Sequence, residues 1–131
     1  MINITKIWTG KSGLNDHLRY RKDVHRKPVV VWNTTQKCNL KCVHCYARSD
    51  RKNYSEELTT EQGKKLITNL AEFGVPVLLF SGGEPLMRKD LFELAEHAKD
   101  LGLRTVLSTN DSIILQNSVS VNNGGVDSIR F

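Results

Sequence analysis

The sequence predicts an α/β fold of parallel strands alternating with helices, and three observations carry that prediction. Val29–Trp32 is a fully apolar, β-branched run of the kind covered on both faces, and Val77–Phe80 and Leu103–Leu107 read as two further strands. Two segments between these runs carry apolar residues at helical spacing, bounded by capping residues. The turns that return each helix to the next run are short, and this order is that of right-handed parallel units.

Residues 1–27 read as an N-terminal extension with little regular structure. Ile2, Ile4 and Ile7 alternate imperfectly, Gly10 and Gly13 interrupt, and Arg19 to Lys27 is nearly all charged; a short strand over Ile2–Ile7 is the alternative there. Val29–Trp32 follows Pro28 as the first strand and delivers the chain into Thr34-Thr35-Gln36-Lys37 and a polar loop that runs on to Glu57. Thr59 and Gln62 have the spacing of a capping box, Leu66, Ile67, Leu70 and Ala71 form one helical face, and Gly74 stands where a C-terminal cap belongs. Pro76 restarts the chain into the second strand, which ends at Ser81 and two glycines. From about Lys89 to Asp100, a second helix turns Leu91, Leu94, Ala95 and Ala98 inward and is closed by Gly102. After the third strand and Asn110 the pattern weakens. Gln116 to Gly125 is rich in Ser, Asn and Gly, which disfavours a third helix, and Val126–Phe131 reads as the start of a fourth strand.

At 131 residues the chain has the size of one ordinary domain, about 100–150 residues. Its net charge of +5 is uneven: residues 1–52 carry 12 Lys/Arg against 3 Asp, whereas residues 53–131 carry 7 against 11 acidic residues. A basic excess of this kind is either a solvated surface or an attractor of anions. Nucleic acid is the first anion to consider, yet no nucleic-acid motif or interleaved basic and aromatic face accompanies the charge, so no such partner is expected. There is no apolar run of about 18 residues and no apolar signal-peptide core, so no membrane partner is expected. Free cysteines then point to the reducing cytoplasm.

All three cysteines lie within the eight residues from Cys38 to Cys45, spaced C-x3-C-x2-C. An odd number cannot all pair as disulfides, so a metal is the reading that uses all three. Two centres fit: a Cys3His zinc site with His44 or His25 as fourth ligand, or a [4Fe-4S] cluster whose fourth iron stays open to a small molecule. His44 directly precedes Cys45, which places its ring poorly for the same tetrahedron, and there is no second C-x2-C pair; the cluster is preferred. Gly82-Gly83-Glu84-Pro85 ends the second strand, where residues without Cβ let a ligand approach the backbone and Glu84 can meet a cationic amino group. Ser108-Thr109-Asn110 ends the third strand with small polar side chains on the same edge, the functional edge in barrels of parallel strands.

Together, Cys38, Cys42 and Cys45 and the downstream Gly82-Gly83-Glu84-Pro85 resemble the paired motifs of radical S-adenosylmethionine (radical SAM) enzymes. The flanks Ile4-Thr5-Lys6, Leu18-Arg19-Tyr20, Lys27 to Thr35 and Cys45-Tyr46-Ala47 resemble the haem-biosynthesis branch, with its NirJ-like proteins, didecarboxysirohaem deacetylase and SAM-dependent haem synthase. The resemblance runs from residue 1 to about Asn110, and Asp111 stands where the family usually has Gly. It implies a partial (β/α)6 TIM-like barrel. At roughly 31 residues per unit, residues 29–131 supply three to four units, so 28–131 reads as the N-terminal part of a radical SAM core domain without its C-terminal half or any auxiliary-cluster domain.

The resemblance also implies a [4Fe-4S] cluster on Cys38, Cys42 and Cys45, with S-adenosyl-L-methionine (SAM) on the open iron. Reductive cleavage of SAM would give a 5′-deoxyadenosyl radical that takes hydrogen from substrate. By the same resemblance His44 lies near the adenine and Gly82, Gly83, Glu84 and Pro85 meet the methionine moiety; Ser108 and Asn110 are further cofactor-binding candidates from their position. The implied substrate is a carboxylated tetrapyrrole and the implied electron donor a ferredoxin or flavodoxin. N-terminal flavour favours the deacetylase or NirJ type over the haem synthase. A peptide-modifying maturase is the alternative enzyme, and a fragment that binds a cluster without catalysis is the alternative of another class. Trp32 and Phe80 read as core, and His17, His25 and His97 as surface.

Overall fold

A computed structural model of the chain describes residues 27–110, 112 and 125–130; the alternative strand at Ile2–Ile7 and the weak segment over 116–124 lie outside them. Strand β1 is Val30–Thr35, helix α1 Thr60–Phe73, β2 Val77–Gly82, helix α2 Leu91–Asp100, β3 Arg104–Ser108 and β4 Ser128–Arg130, with a 3₁₀ turn at Pro85–Met87. The strands form one sheet in the order β1-β2-β3-β4, every neighbouring pair parallel. This is the alternation of strand and helix that the sequence predicts.

The caps of α1 are those read from the sequence. The Thr59 hydroxyl accepts from the Gln62 backbone N–H at 3.3 Å while the Gln62 side chain accepts from the Thr59 N–H at 2.9 Å, so two of the orphan donors at the start of α1 are satisfied reciprocally. At its other end Gly74 takes the left-handed conformation, with φ 82°, and its N–H caps the helix. α2 begins two residues later than the sequence suggests. Its cap is Asp90, whose carboxylate is turned away to Arg88 and Thr60 rather than to the helix.

Successive residues of the strands alternate faces. Trp32, Phe80 and Leu107 share one row and Val30, Leu78 and Thr105 another, both on the face that the helices cover. There Ile67 of α1 and Leu91, Leu94, Ala95 and Ala98 of α2 close over Leu78 and Phe80, all fully buried. Burying each large side chain in this layer is worth about 1.5–3 kcal/mol. Gly63 makes the layer possible: a Cβ there would lie 2.9 Å from both Leu94 Cδ2 and Trp32 Cη2. β4 is fastened to β3 at its start, where the Thr105 N–H donates to Asp127 Oδ2 at 2.6 Å and the Asp127 N–H returns to the Thr105 carbonyl at 3.1 Å.

Three expectations are corrected. β1 runs on through the polar Asn33-Thr34-Thr35 rather than ending at Trp32, because Thr34 and Thr35 find hydrogen-bond partners inside the fold. It is also not covered on both faces: Val31, on the side away from the helices, is 55% exposed, and β1 is an edge strand among the described residues. His97 is not a surface residue. It sits half-buried in the seam between the helices, with Nε2 3.1 Å from the Thr68 hydroxyl.

Candidate functional site

The cysteine loop leaves the C-terminal end of β1 and closes on itself. The Cys38 N–H donates to the Asp50 carbonyl at 2.7 Å, and Lys37 and Asp50 pair as an isolated parallel bridge. Within this closure the chain makes two tight turns, with the Cys45 N–H donating to the Cys42 carbonyl at 3.3 Å and the Arg48 N–H to the Cys45 carbonyl at 3.4 Å. Arg48 completes the reversal at φ 48°, an uncommon conformation for a non-glycine residue. The loop is anchored at its base by Glu57, whose Oε1 accepts from the Thr35 hydroxyl at 2.7 Å and the Gln36 N–H at 2.8 Å.

All three cysteines are free, and their sulfurs differ in surroundings. Cys38 is 7% exposed and its Sγ receives the Leu40 N–H at 3.4 Å and Asn110 Nδ2 at 3.7 Å. Cys45 is half-buried and its Sγ receives the Ser49 N–H at 3.5 Å. That Ser49 N–H, with those of Ala47 and Arg48, holds the Cys45 thiol below its ordinary range against the opposing effect of burial. The Ser49 N–H contributes most of this lowering, and the buried Ser49 hydroxyl, which has no hydrogen-bond partner of good geometry, adds to it in the same direction. Cys42 is exposed, and its Sγ receives no hydrogen bond among the described residues.

Gly82-Gly83-Glu84-Pro85 lies directly against this loop. The Gly83 N–H donates to the Thr35 carbonyl at 2.7 Å and the Glu84 N–H to the Lys37 carbonyl at 2.9 Å, so one loop's donors satisfy the other's acceptors. The glycines are required by this approach: a Cβ on Gly82, which has φ 132°, would meet the Thr35 carbonyl oxygen, and one on Gly83 the Lys37 carbonyl oxygen. Glu84 is 0% exposed. Its Oε1 accepts from the Thr109 hydroxyl at 2.8 Å and the Leu86 N–H at 3.0 Å, and its Oε2 from the Asn110 N–H at 2.8 Å. Pro85, buried, opens the 3₁₀ turn whose cap is Glu84.

The C-terminal ends of β1, β2 and β3 are therefore one connected edge. The structure brings Cys38, Gly82, Gly83, Glu84, Pro85 and Asn110 together through hydrogen bonds and contacts. Ser108 lies half-buried on β3, opposite Arg130 of β4 in the ladder, and His44 is exposed on the loop. His25 lies outside the described residues.

Several residues of this edge are given no role in the site by the sequence. The Tyr46 hydroxyl reaches back to Asn33 Oδ1 at 3.2 Å and Ser81 Oγ at 3.4 Å, pinning the loop across the ends of β1 and β2. Arg88 runs beneath it, donating to the Thr34 carbonyl at 2.8 Å, the Leu58 carbonyl at 2.7 Å and both oxygens of Asp90. The Thr34 carbonyl belongs to the irregularity where the β1–β2 register shifts. Asn39 and Ser112 surround the Asn110 amide. The signal for these residues is their adjacency to strand ends in a parallel sheet, which a motif search does not use.

A cavity of about 480 Å³ opens beside the end of β1, lined by Asn33, Gln36, Ala47, Tyr54, Glu57 and Gly82 among others, and by no cysteine. Lys41, Arg48, Arg51 and Lys52 are exposed around the cysteine loop, placing the basic excess of the sequence there. No group of three or more His, Cys, Asp or Glu among the described residues is gathered around a single ion position. The donor set nonetheless suits an iron-sulfur cube, whose irons each take one thiolate: three free thiols on a loop, with backbone N–H groups at two of the sulfurs and the Ser49 hydroxyl spare beside Cys45.

The sequence matches the Radical SAM superfamily over residues 32–121. It is 52% identical over 126 residues to the Fe-coproporphyrin III synthase of Methanosarcina barkeri (strain Fusaro / DSM 804), covering 87% of this chain and 32% of that protein. Over 99 residues it is 44% identical to the AdoMet-dependent heme synthase of Oleidesulfovibrio alaskensis, covering 75% of this chain and 26% of that protein. Over 89 residues it is 47% identical to the Pre-heme d1 synthase of Dinoroseobacter shibae, covering 68% of this chain and 22% of that protein. The chain thus spans a third or less of the length of these relatives. Its fold is similar to that of BtrN in the crystal structure with AdoMet and 2-DOIA, with a TM-score of 0.61 at 20% identity, over 76% of this chain and 42% of that one.

Proposed function

The chain belongs to the Radical SAM superfamily, and from that membership we propose that it carries the cluster-binding part of an enzyme of haem or haem d1 biosynthesis. The observation that carries this reading is the connected edge on which Cys38, Cys42 and Cys45 stand beside Gly82-Gly83-Glu84-Pro85. Cys38, Cys42 and Cys45 would hold a [4Fe-4S] cluster, which with bound SAM supplies the one-electron cleavage that yields a 5′-deoxyadenosyl radical. The protein's own part is to place and shield. The Gly83 and Glu84 N–H groups lock the second loop to the first, and Glu84 ties both to β3. By family membership Gly82, Gly83, Glu84, Pro85, Ser108, Asn110 and the exposed His44 would be the SAM-binding residues. The buried Glu84 carboxylate is taken up by Thr109, Leu86 and Asn110, so its part would be to hold this edge in shape rather than to meet the SAM amino group.

The substrate we propose is a carboxylated tetrapyrrole, processed on its side chains in the manner of a didecarboxysirohaem deacetylase. The similarity to a synthase named for Fe-coproporphyrin III, together with the basic surface around the cysteine loop, supports a polyanionic substrate. That same surface suits an acidic electron donor of the ferredoxin or flavodoxin kind. Anaerobic reconstitution with iron and sulfide, followed by EPR of the reduced protein with and without SAM, tests the core of the reading. A [4Fe-4S] signal that changes on adding SAM is expected. Iron that does not bind, or a cluster retained by a C38S, C42S or C45S variant as well as by the parent, refutes it.

A further inference from the structure

The hydrogen bonds around Asn110 give this side chain a task of its own. We infer that Asn110 is a positioning residue that acts through Cys38, donating an N–H···S hydrogen bond that raises the reduction potential of a cluster held there. The inference rests on the reading of Cys38 as a cluster ligand.

Asparagine amides can be turned either way, so the assignment of donor and acceptor must come from the partners. Here the partners decide it. Asn110 Oδ1 lies 3.2 Å from the Ser112 backbone nitrogen, a group that can only donate, so that atom must be the oxygen. Ser112 Oγ donates to the same oxygen at 2.6 Å and in turn accepts from Asn39 Nδ2 at 2.6 Å. Asn39 Oδ1 accepts from Asn110 Nδ2 at 3.1 Å, which closes a ring of three side chains with one consistent sense of donation. One Nδ2 hydrogen is used in that ring. The other faces Cys38 Sγ at 3.7 Å, a distance within reach for the larger sulfur atom.

The residue is fixed at its backbone as well, because its N–H donates to Glu84 Oε2 at 2.8 Å and Glu84 is fully buried. Glu84 therefore holds the amide that holds the sulfur. Cys38 Sγ thus receives a side-chain amide in addition to the Leu40 backbone N–H. Adding an electron to a cluster increases the negative charge on its sulfurs, and a fixed N–H dipole aimed at one of them stabilises that reduced state. Removing the dipole makes reduction harder.

The test uses the 131-residue chain reconstituted anaerobically without SAM, with the midpoint of the cluster couple followed by EPR-monitored titration. N110A is expected to take up the same iron and sulfide as the parent but to titrate at a more negative potential. S112A, which keeps the amide but releases the ring that orients it, is expected to shift in the same direction by less. Thr59→Ala, which removes the cap of α1 and no hydrogen bond to a cysteine sulfur, is expected to leave the midpoint unchanged. Coincident titrations of parent and N110A overturn the inference, and so does an equal shift in the Thr59→Ala protein, which would trace the effect to general loosening. If N110A fails to assemble a cluster, S112A decides, and an unshifted midpoint there overturns the inference. A parent chain that binds no iron removes the cluster reading itself, an outcome distinguishable because no variant then gives a signal.

Discussion

Replacing Arg88 with methionine would cut the joint that holds the cysteine loop to the rest of the sheet. The guanidinium donates to the Thr34 and Leu58 carbonyls and forms a two-pronged pair with Asp90, its side chain is 7% exposed, and it lies 5.6 Å from the centre of the Trp32 ring. Removing one partner of a buried pair costs about 3–5 kcal/mol, because the other charge stays behind. Asp90 retains the Thr60 hydroxyl at 2.7 Å and some contact with water, which places the expected loss near the lower end, about 3 kcal/mol. Lysine keeps the charge but not the fork, so R88K should recover part of the loss. The assay is urea denaturation by circular dichroism, with the loss appearing in the midpoint and not in the slope. The pH dependence supplies an internal check. Burial pushes the Asp90 carboxyl up, but hydrogen bonds from Arg88 and Thr60 and the charge of Arg88 outweigh it, and the carboxyl ends below the ordinary aspartate range. A carboxyl depressed in the folded state contributes stability that is present above its unfolded pKa, about 3.9, and is lost as the pH falls through the folded value. The parent should therefore lose stability on acidification below about pH 4 more steeply than R88M. A loss below about 1 kcal/mol in R88M, with unchanged acid behaviour, refutes the buried-pair account.

Three further outcomes follow from the same edge. In E84Q, either orientation of the new amide sets an NH2 group against a donor, the Asn110 N–H on one side or the Thr109 hydroxyl and Leu86 N–H on the other, so unfolding in urea should show a loss of about 1–3 kcal/mol. In G83A the added Cβ would lie 2.8 Å from the Lys37 carbonyl carbon and 2.9 Å from the Gln36 oxygen; a cost of about 1–3 kcal/mol and reduced iron uptake are expected, and parent-like uptake would show that the two loops need not touch. In the metal-free chain, iodoacetamide followed by peptide mass spectrometry should find Cys38 alkylated last, because it is buried, and Cys42 modified readily, because it is exposed; the reverse order contradicts the described loop.

The parallel sheet and its two helices were legible because each signal was local. Thr59 with Gln62, Gly74, and the spacing of Leu91, Leu94, Ala95 and Ala98 each specify a cap or a face within a few residues. What escaped the sequence reading depends on distant partners. The polar end of β1 continues as strand only because Thr34 Oγ1 donates to the Ser81 carbonyl 47 positions away and Thr35 Oγ1 to Glu57. His97 and Gly63 are polar or small residues whose meaning lies across the helix seam, at Thr68 and at Leu94. Arg88, three residues ahead of an apolar helix face, looks like ordinary surface charge until its partners are seen. At the site, the motifs located the strand ends, but the ring of Asn39, Asn110 and Ser112 joins residues about seventy positions apart, and no spacing encodes it.

Sheet register and site geometry are one property here. Asn33 faces Ser81 and Phe80 faces Leu107, so the cysteine loop, Glu84 and Asn110 emerge at one level on three adjacent strand ends. A one-residue slip of β3 against β2 would turn Leu107 out of the core and carry the Asn110 N–H away from Glu84, and with it the amide that faces Cys38. The buried row of Trp32, Phe80 and Leu107 opposes that slip with several kcal/mol of apolar burial. The core thus does more than hold the domain together: by fixing the register it sets which sulfur receives which hydrogen bond. Cys38 lies buried where the loop closes on the Asp50 carbonyl, while Cys42 lies exposed on the turn beyond it, so the two sulfurs are held in different surroundings.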